Sequence, residues 1–165
     1  MGELDRWNAA PEDEARGVLL ACCASREWAD RVLALRPFDR TQDVVACGDL
    51  VADLPWAEIR KALDAHPRIG ERAAGTGREA AWSRREQSGA GVADAATTSA
   101  LIEINKRYEE RHGHVFLIFA TGKSAAQMLA AARERLTDDE PTERATVRAE
   151  LVKIVRLRLE RLFTQ

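Results

Sequence analysis

Apolar residues recur every three to four positions along most of this chain, the spacing that lays one hydrophobic stripe along an α-helix. The first such stretch begins at Pro11, a favourable early helical position. Asn8 is placed to cap it, and Glu12, Asp13 and Glu14 fall in its first turn. Val18, Leu19 and Cys22 supply its apolar face. A second helix is predicted over 25–35, with Trp28, Val32 and Leu35 in register and Pro37 as its stop. A third runs over 40–54 through Val44, Val45, Leu50 and Val51. Pro55 opens a fourth, carrying Trp56, Ile59 and Leu63 as far as His66, where Pro67 disfavours helical backbone in the residue before it.

Residues 70–80 are rich in Gly, Ala and charge, and read as a surface loop. A helix follows Ser83. A longer one over 94–111 places Leu101, Ile104 and Tyr108 on one face, and Gly113 fits its C-terminal signal. The run 115–120 has the composition of a strand, but the chain offers no partner strand, so a buried, partly extended segment is predicted. Helices over 124–136 and 140–163 close the chain. The expectation is an all-α fold, a single-domain compact bundle of about eight helices over 1–165 with a short extended segment near 115–120.

Composition narrows the function classes. At 165 residues the chain has ample length for a core of its own. Its 25 Lys+Arg nearly balance its 27 Asp+Glu, leaving no strong field for nucleic acid or an anionic membrane. Aromatics are 5%, too sparse for a base-stacking surface, and no apolar run reaches the roughly 20 residues a bilayer needs. The opening Met-Gly-Glu-Leu-Asp-Arg-Trp has no secretory pattern, and the closing Leu-Phe-Thr-Gln is no peroxisomal address. A cytoplasmic protein is predicted. Cys22, Cys23 and Cys47 match neither a disulfide framework nor zinc spacing, and read as small buried hydrophobes.

Candidate chemistry begins at His66, one of three histidines, held at the mouth of a loop by Pro67. Ser83-x-x-Glu86 has two readings. It is a capping box in sequence, and it is also part of a polar face, since Ser83, Glu86 and Gln87 sit at i, i+3 and i+4. In the last helix Val147, Leu151, Ile154, Val155 and Leu162 form a stripe with Arg158 near its centre, while Arg156 lies off it and reads as solvated. A guanidinium on a buried face needs an anion or several acceptors. Thr121-Gly122-Lys123-Ser124 resembles the end of a P-loop, but position 117 is Leu where that motif needs glycine. What remains is a stretch of small residues with free backbone amides just before a helix. His112 and His114 are weak metal ligands without nearby Cys or Asp, and no metal site is predicted.

Taken in order, several motifs resemble the decarboxylases of 2-oxo-4-hydroxy-4-carboxy-5-ureidoimidazoline (OHCU), enzymes of urate degradation. They are Arg36-Pro37-Phe38, His66-Pro67-Arg68-Ile69-Gly70, Trp82-Ser83-x-x-Glu86-Gln87, Asn105-x-x-Tyr108-Glu109, the run into Ala120-Thr121-Gly122-Lys123-Ser124, and Lys153-Ile154-x-x-Leu157-Arg158-Leu159. The resemblance implies an all-helical homodimer that needs no metal or organic cofactor and binds a small-molecule substrate. It implies a catalytic His66 and a substrate-contacting segment that includes Glu86, whose carboxylate is expected to pair with His66 or with the substrate hydroxyl and to share the catalytic role. Substrate contacts are implied from Pro67, from Ser83, Arg84, Arg85 and Gln87, from the backbone of Ile118, Phe119, Ala120, Thr121 and Gly122, and from Arg158. Phe119 stands where the family pattern has a smaller residue. The competing expectation is a non-enzymatic helical interaction module, in which His66, Glu86 and Arg158 are dispersed structural residues.

Overall fold

A computed structural model describes residues 1–71, 77–90 and 93–164. Among these the chain forms nine α-helices and one 3₁₀ segment, with no strand. The helices are α1 (Glu3–Ala9), α2 (Glu12–Cys22), α3 (Arg26–Leu33), α4 (Thr41–Ala46), α5 (Trp56–Asp64), α6 (Arg78–Glu86), α7 (Ala95–His112), α8 (Ala125–Leu136) and α9 (Glu140–Phe163); the 3₁₀ segment is Cys47–Asp53. They fall into two compact units, Met1–Ala62 with Leu151–Gln165, and Leu63–Glu150. The all-α expectation holds, and no described helix is long and apolar enough to cross a membrane.

In the first unit the N-terminal pattern needs correction. Asn8 is not the cap of α2; it lies inside α1, and its side chain bonds both ways to the Phe38 backbone, donating at 2.8 Å and accepting at 3.1 Å. Pro11 is itself the N-cap of α2. Trp7 is buried against the edge of Phe163, its indole donating to Ala15 O at 3.0 Å. Arg36 stacks on that ring and donates to the carbonyls of Trp7 and Ala10, so it closes the end of α1. α3 ends at Leu33, and Leu35, assigned to its apolar face, is 55% exposed. Cys22, Cys23 and Cys47 are buried, as expected.

The predicted helix over 40–54 is α4 followed by the 3₁₀ segment. The tighter turn goes with a close approach: a Cβ on Gly48 would stand 2.6 Å from Arg156 Cγ and 3.2 Å from its backbone nitrogen. Arg156 is therefore not simply solvated. Its Nη1 donates to both carboxylate oxygens of Asp49, at 2.9 and 3.0 Å.

Ser25 caps α3 by accepting from Trp28 N at 3.2 Å, and its hydroxyl donates to Glu58 at 2.8 Å. Lys61 and then Ser25 hold the Glu58 carboxyl below the usual carboxylate range. A depressed carboxyl stabilises the fold at neutral pH, and the contribution is lost as pH falls through its lowered folded-state value. Ser25→Ala removes the cap and one of these partners. It is expected to cost about 1–2 kcal/mol in urea unfolding at neutral pH, with a smaller penalty in acid.

The second unit is built around α7. Asp94 caps it, accepting from Thr97 N at 2.7 Å, and Gly113 ends it in the left-handed region at φ +76°. Leu101, Ile104 and Tyr108 are buried as the pattern required, and pack with Ile69, Phe116, Ile118, Ala120, Met128 and Leu129. Ser124 caps α8 in a capping box with Gln127. The run 115–120 between α7 and α8 has no regular secondary structure, and Phe116, Leu117, Ile118 and Ala120 are buried.

Candidate active site

α5 ends at Asp64, and His66 closes the last turn through its amide to Leu63 O at 2.9 Å. The next residues are fastened one after another. Arg68 pairs with Glu109 at 2.7 Å, Ile69 O accepts from Asn105 Nδ2 at 2.7 Å, and Gly70 N donates to Gln87 Oε1 at 3.2 Å. Gly70 has φ +91°, which glycine tolerates best, and the Ile69 side chain is buried in the core. Asn105 and Glu109 lie one turn apart on α7, so a single helix face holds the loop that carries His66.

Two clefts meet at His66. One, of about 390 Å³, is lined by Pro67, Arg68, Glu109 and His114 among others; the second, of about 420 Å³, by Asp64, Pro67, Gly77, Glu79 and Ser83. His66 is half-buried between them. Its loop is anchored through residues 68–70, and the residue itself lines both clefts.

Ser83 is not a helix cap. α6 starts at Arg78 with Gly77 as N-cap, which puts Ser83 in its second turn and removes the capping-box reading of Ser83-x-x-Glu86. The first residues of α6 also lie in the stretch read as loop; of that stretch, residues 72–76 are outside the described residues. Ser83 and Glu86 are buried, Gln87 and Arg84 are half-buried, and Arg85 is exposed. One face of α6 thus lines the His66 cleft through Ser83 and reaches the His66 loop through Gln87.

Ile118 and Ala120 share the core that buries Ile69, and the Phe119 ring lies against the Lys123 ammonium at 5.5 Å. Gly122 turns the chain at φ +78°. The amides expected to stand free before α8 are partly occupied: Lys123 N donates to Ala120 O, and Ser124 N to Gln127 Oε1. Lys123 itself bends back onto Phe119 O at 2.7 Å rather than outward to a phosphate. Two buried polar atoms have no protein partner among the described residues, Thr121 Oγ1 and Asn105 Oδ1. A buried orphan of this kind calls for a ligand or an ordered water.

The turn after α6 packs against the same segment. A Cβ on Gly89 would collide with the Lys123 carbonyl oxygen. Gly89→Ala is expected to cost about 1–3 kcal/mol as overpacking, read by denaturant titration.

Arg158 belongs to the first unit and is 1% exposed, at the place on the α9 stripe where the spacing put it. The described residues contain no cluster of three or more His, Cys, Asp or Glu able to hold a metal ion. Sequence reasoning missed the parts played by Asn105 and Glu109, which were read only as motif matches.

Comparison with known proteins identifies the family. A family model described as OHCU decarboxylase matches residues 8–160. The chain is 33% identical over 128 residues to the 2-oxo-4-hydroxy-4-carboxy-5-ureidoimidazoline decarboxylase of Amia calva, covering 76% of this chain and 73% of that one. It is 30% identical over 151 residues to the uric acid degradation bifunctional protein TTL of Arabidopsis thaliana, covering 87% of this chain and 45% of that protein, so it spans less than half of this longer relative. Its fold is similar to a crystal structure of OHCU decarboxylase in the presence of (S)-allantoin, with TM-score 0.77 and 23% identity over 94% of this chain and 100% of that one. With the ordered motifs and the helical architecture, the match over 8–160 shows that the chain belongs to the OHCU decarboxylase family.

Proposed function

We propose that this protein is a carboxy-lyase that converts OHCU to (S)-allantoin in urate catabolism, without a cofactor, with His66 handling the proton. The observation that carries the reading is His66 itself, held at the meeting of two clefts with Ser83 on the wall of one, inside the family-matched region.

The substrate's carboxylate and hydroxyl share one ring carbon, next to a C=N bond. As CO2 leaves, the electrons of the broken C–C bond form a new double bond to the imine carbon, and the imine nitrogen takes up a proton. The resulting enol then gives up its hydroxyl proton while its neighbouring carbon accepts one. Delivery of that proton to one face yields the S product. The ring supplies its own electron sink, and the protein needs to orient the carboxylate and move protons.

An imidazole suits both directions of transfer because it titrates near neutral pH. Glu86 pairs with His66 or with the substrate hydroxyl and sets which of them holds the proton. Ser83 and Gln87 take the ureido and ring heteroatoms, with Arg84 and Arg85 beside them. Pro67 shapes the wall, and the backbone of Ile118, Phe119, Ala120, Thr121 and Gly122 lines the pocket. The orphaned Thr121 hydroxyl supports that last assignment. On the family resemblance Arg158 takes an anionic or carbonyl oxygen. We further read the chain as one domain over 1–165, acting in the cytoplasm as a homodimer, which sedimentation would test.

The deciding experiment follows circular dichroism of substrate freshly generated from urate by the two preceding activities. Rapid growth of the (S)-allantoin signal with the protein present supports the reading. Racemic product at the spontaneous rate, from folded protein, overturns it.

A further inference from the structure

The proposed mechanism makes no use of an ion pair buried behind the run 115–120. Arg135 of α8 donates from Nη1 to Leu117 O at 2.7 Å, and from Nε and Nη2 to Glu143 of α9 at 3.0 and 2.5 Å. Glu143 also accepts the hydroxyl of Tyr108 from α7. Arg135 is 7% exposed, and Glu143 and Tyr108 are fully buried. The guanidinium lies 4.6 Å from the centroid of Phe116, whose ring meets Tyr108 edge-on at 5.2 Å. Three helices thus converge on two successive residues of one extended run.

Stability alone is a weak reason for this arrangement, because a well-packed apolar pair of similar volume is often as stable as a buried ion pair. The backbone offers a better one. No strand lies beside 115–120 among the described residues, so its carbonyls need other donors. Val115 O takes His114 Nδ1 at 3.0 Å, Phe119 O takes Lys123 Nζ, and Ala120 O takes Lys123 N. Those three donors come from the run's own flanks. Among the described residues, Arg135 brings a donor from elsewhere in the fold, to Leu117 O. Its planar fork serves Glu143 with one edge and Leu117 with the other, so the carbonyl's position follows the carboxylate's. Burial and the Glu143 carboxylate raise the Tyr108 hydroxyl well above its ordinary range, so it stays a donor to Glu143 at neutral pH.

We propose that Arg135, oriented by Glu143 and Tyr108, is a positioning residue that sets where residues 118–122 stand against the substrate. The inference rests on the reading of that run as pocket wall. None of the three touches the reacting atoms.

Arg135→Lys separates the two duties. Its ammonium still neutralises Glu143, but one nitrogen cannot stand at both the Nη1 and Nε positions, so Leu117 O is released. Two readouts follow: amide order parameters of 118–122 by NMR, and KM and kcat for OHCU by circular dichroism. Order parameters there are expected to fall from about 0.85 to below about 0.6, with the helices unchanged. KM is expected to rise about tenfold, as for one lost charge-assisted hydrogen bond, with a smaller fall in kcat. Tyr108→Phe should move both in the same direction by less; it strands no charged partner of Arg135, and serves alone if Arg135→Lys does not fold. Unchanged order parameters overturn the clamp. Loosened residues with unmoved KM overturn its service to the substrate. No decarboxylation by the unaltered protein overturns the functional reading instead, and the order parameters still judge the clamp.

Discussion

His66→Ala is expected to leave the chain folded and to lower the rate of (S)-allantoin formation by about 10²–10⁴-fold, the usual contribution of a positioned general acid–base group. The fold should survive because the loop is anchored by its neighbours: the Arg68 ion pair, the Ile69 carbonyl and side chain, and the Gly70 amide. The ring itself is half-buried at the junction of two clefts. Two measurements belong together, a dichroism progress curve and a thermal unfolding scan of the same preparation. A folded variant that releases product only at the spontaneous rate, and as a racemate, supports the assignment. Near-normal turnover would move proton handling elsewhere, with Glu86 as the first residue to replace.

The second large effect is on stability. Arg135→Met leaves the Glu143 carboxylate buried at 0% exposure without its cation, and is expected to cost about 3–5 kcal/mol. Against a total of roughly 5–15 kcal/mol for a protein of this kind, that is a large share, visible as a lower midpoint in urea. Most of the cost is the stranded charge, not the lost attraction. The double variant Arg135→Met with Glu143→Leu should therefore recover much of it. A single variant that loses less than about 1 kcal/mol would mean the carboxylate is already satisfied by Tyr108 and its surroundings.

These two sites were unequally legible from sequence. His66 stood out through its scarcity and through Pro67, both local signals, and Arg158 through a charge on an apolar stripe that α9 buries where the spacing put it. α7 and α8 could be read because their ends carry Asp94, Gly113 and Ser124, whose side chain or backbone freedom does the capping. α6 was misplaced for the converse reason. Its N-cap, Gly77, makes no side-chain bond, while Ser83 and Glu86 imitate a cap one turn inside. α1 is seven residues long and shows no period; it is held by contacts from Arg36, Phe38 and Phe163 that no local pattern announces. The same holds for Asn105, Arg135 and Glu143. Each bonds a residue 36, 18 or 35 positions away, and their identity alone gives no hint of the partner.

The three thiols give the molecule a built-in reporter. Cys22, Cys23 and Cys47 all lie in the unit containing Met1–Ala62, all are buried, and burial pushes the Cys47 thiol upward, which keeps it unreactive while that unit stays closed. Residues 63–150 contain no cysteine and a single tryptophan, Trp82. A thiol-reactive dye therefore counts the openings of one unit, while in a chain whose Trp7, Trp28 and Trp56 are replaced by Phe, quenching of Trp82 follows the environment of α6 in the other. Added substrate or product that slows one signal and not the other would assign ligand stabilisation to its unit.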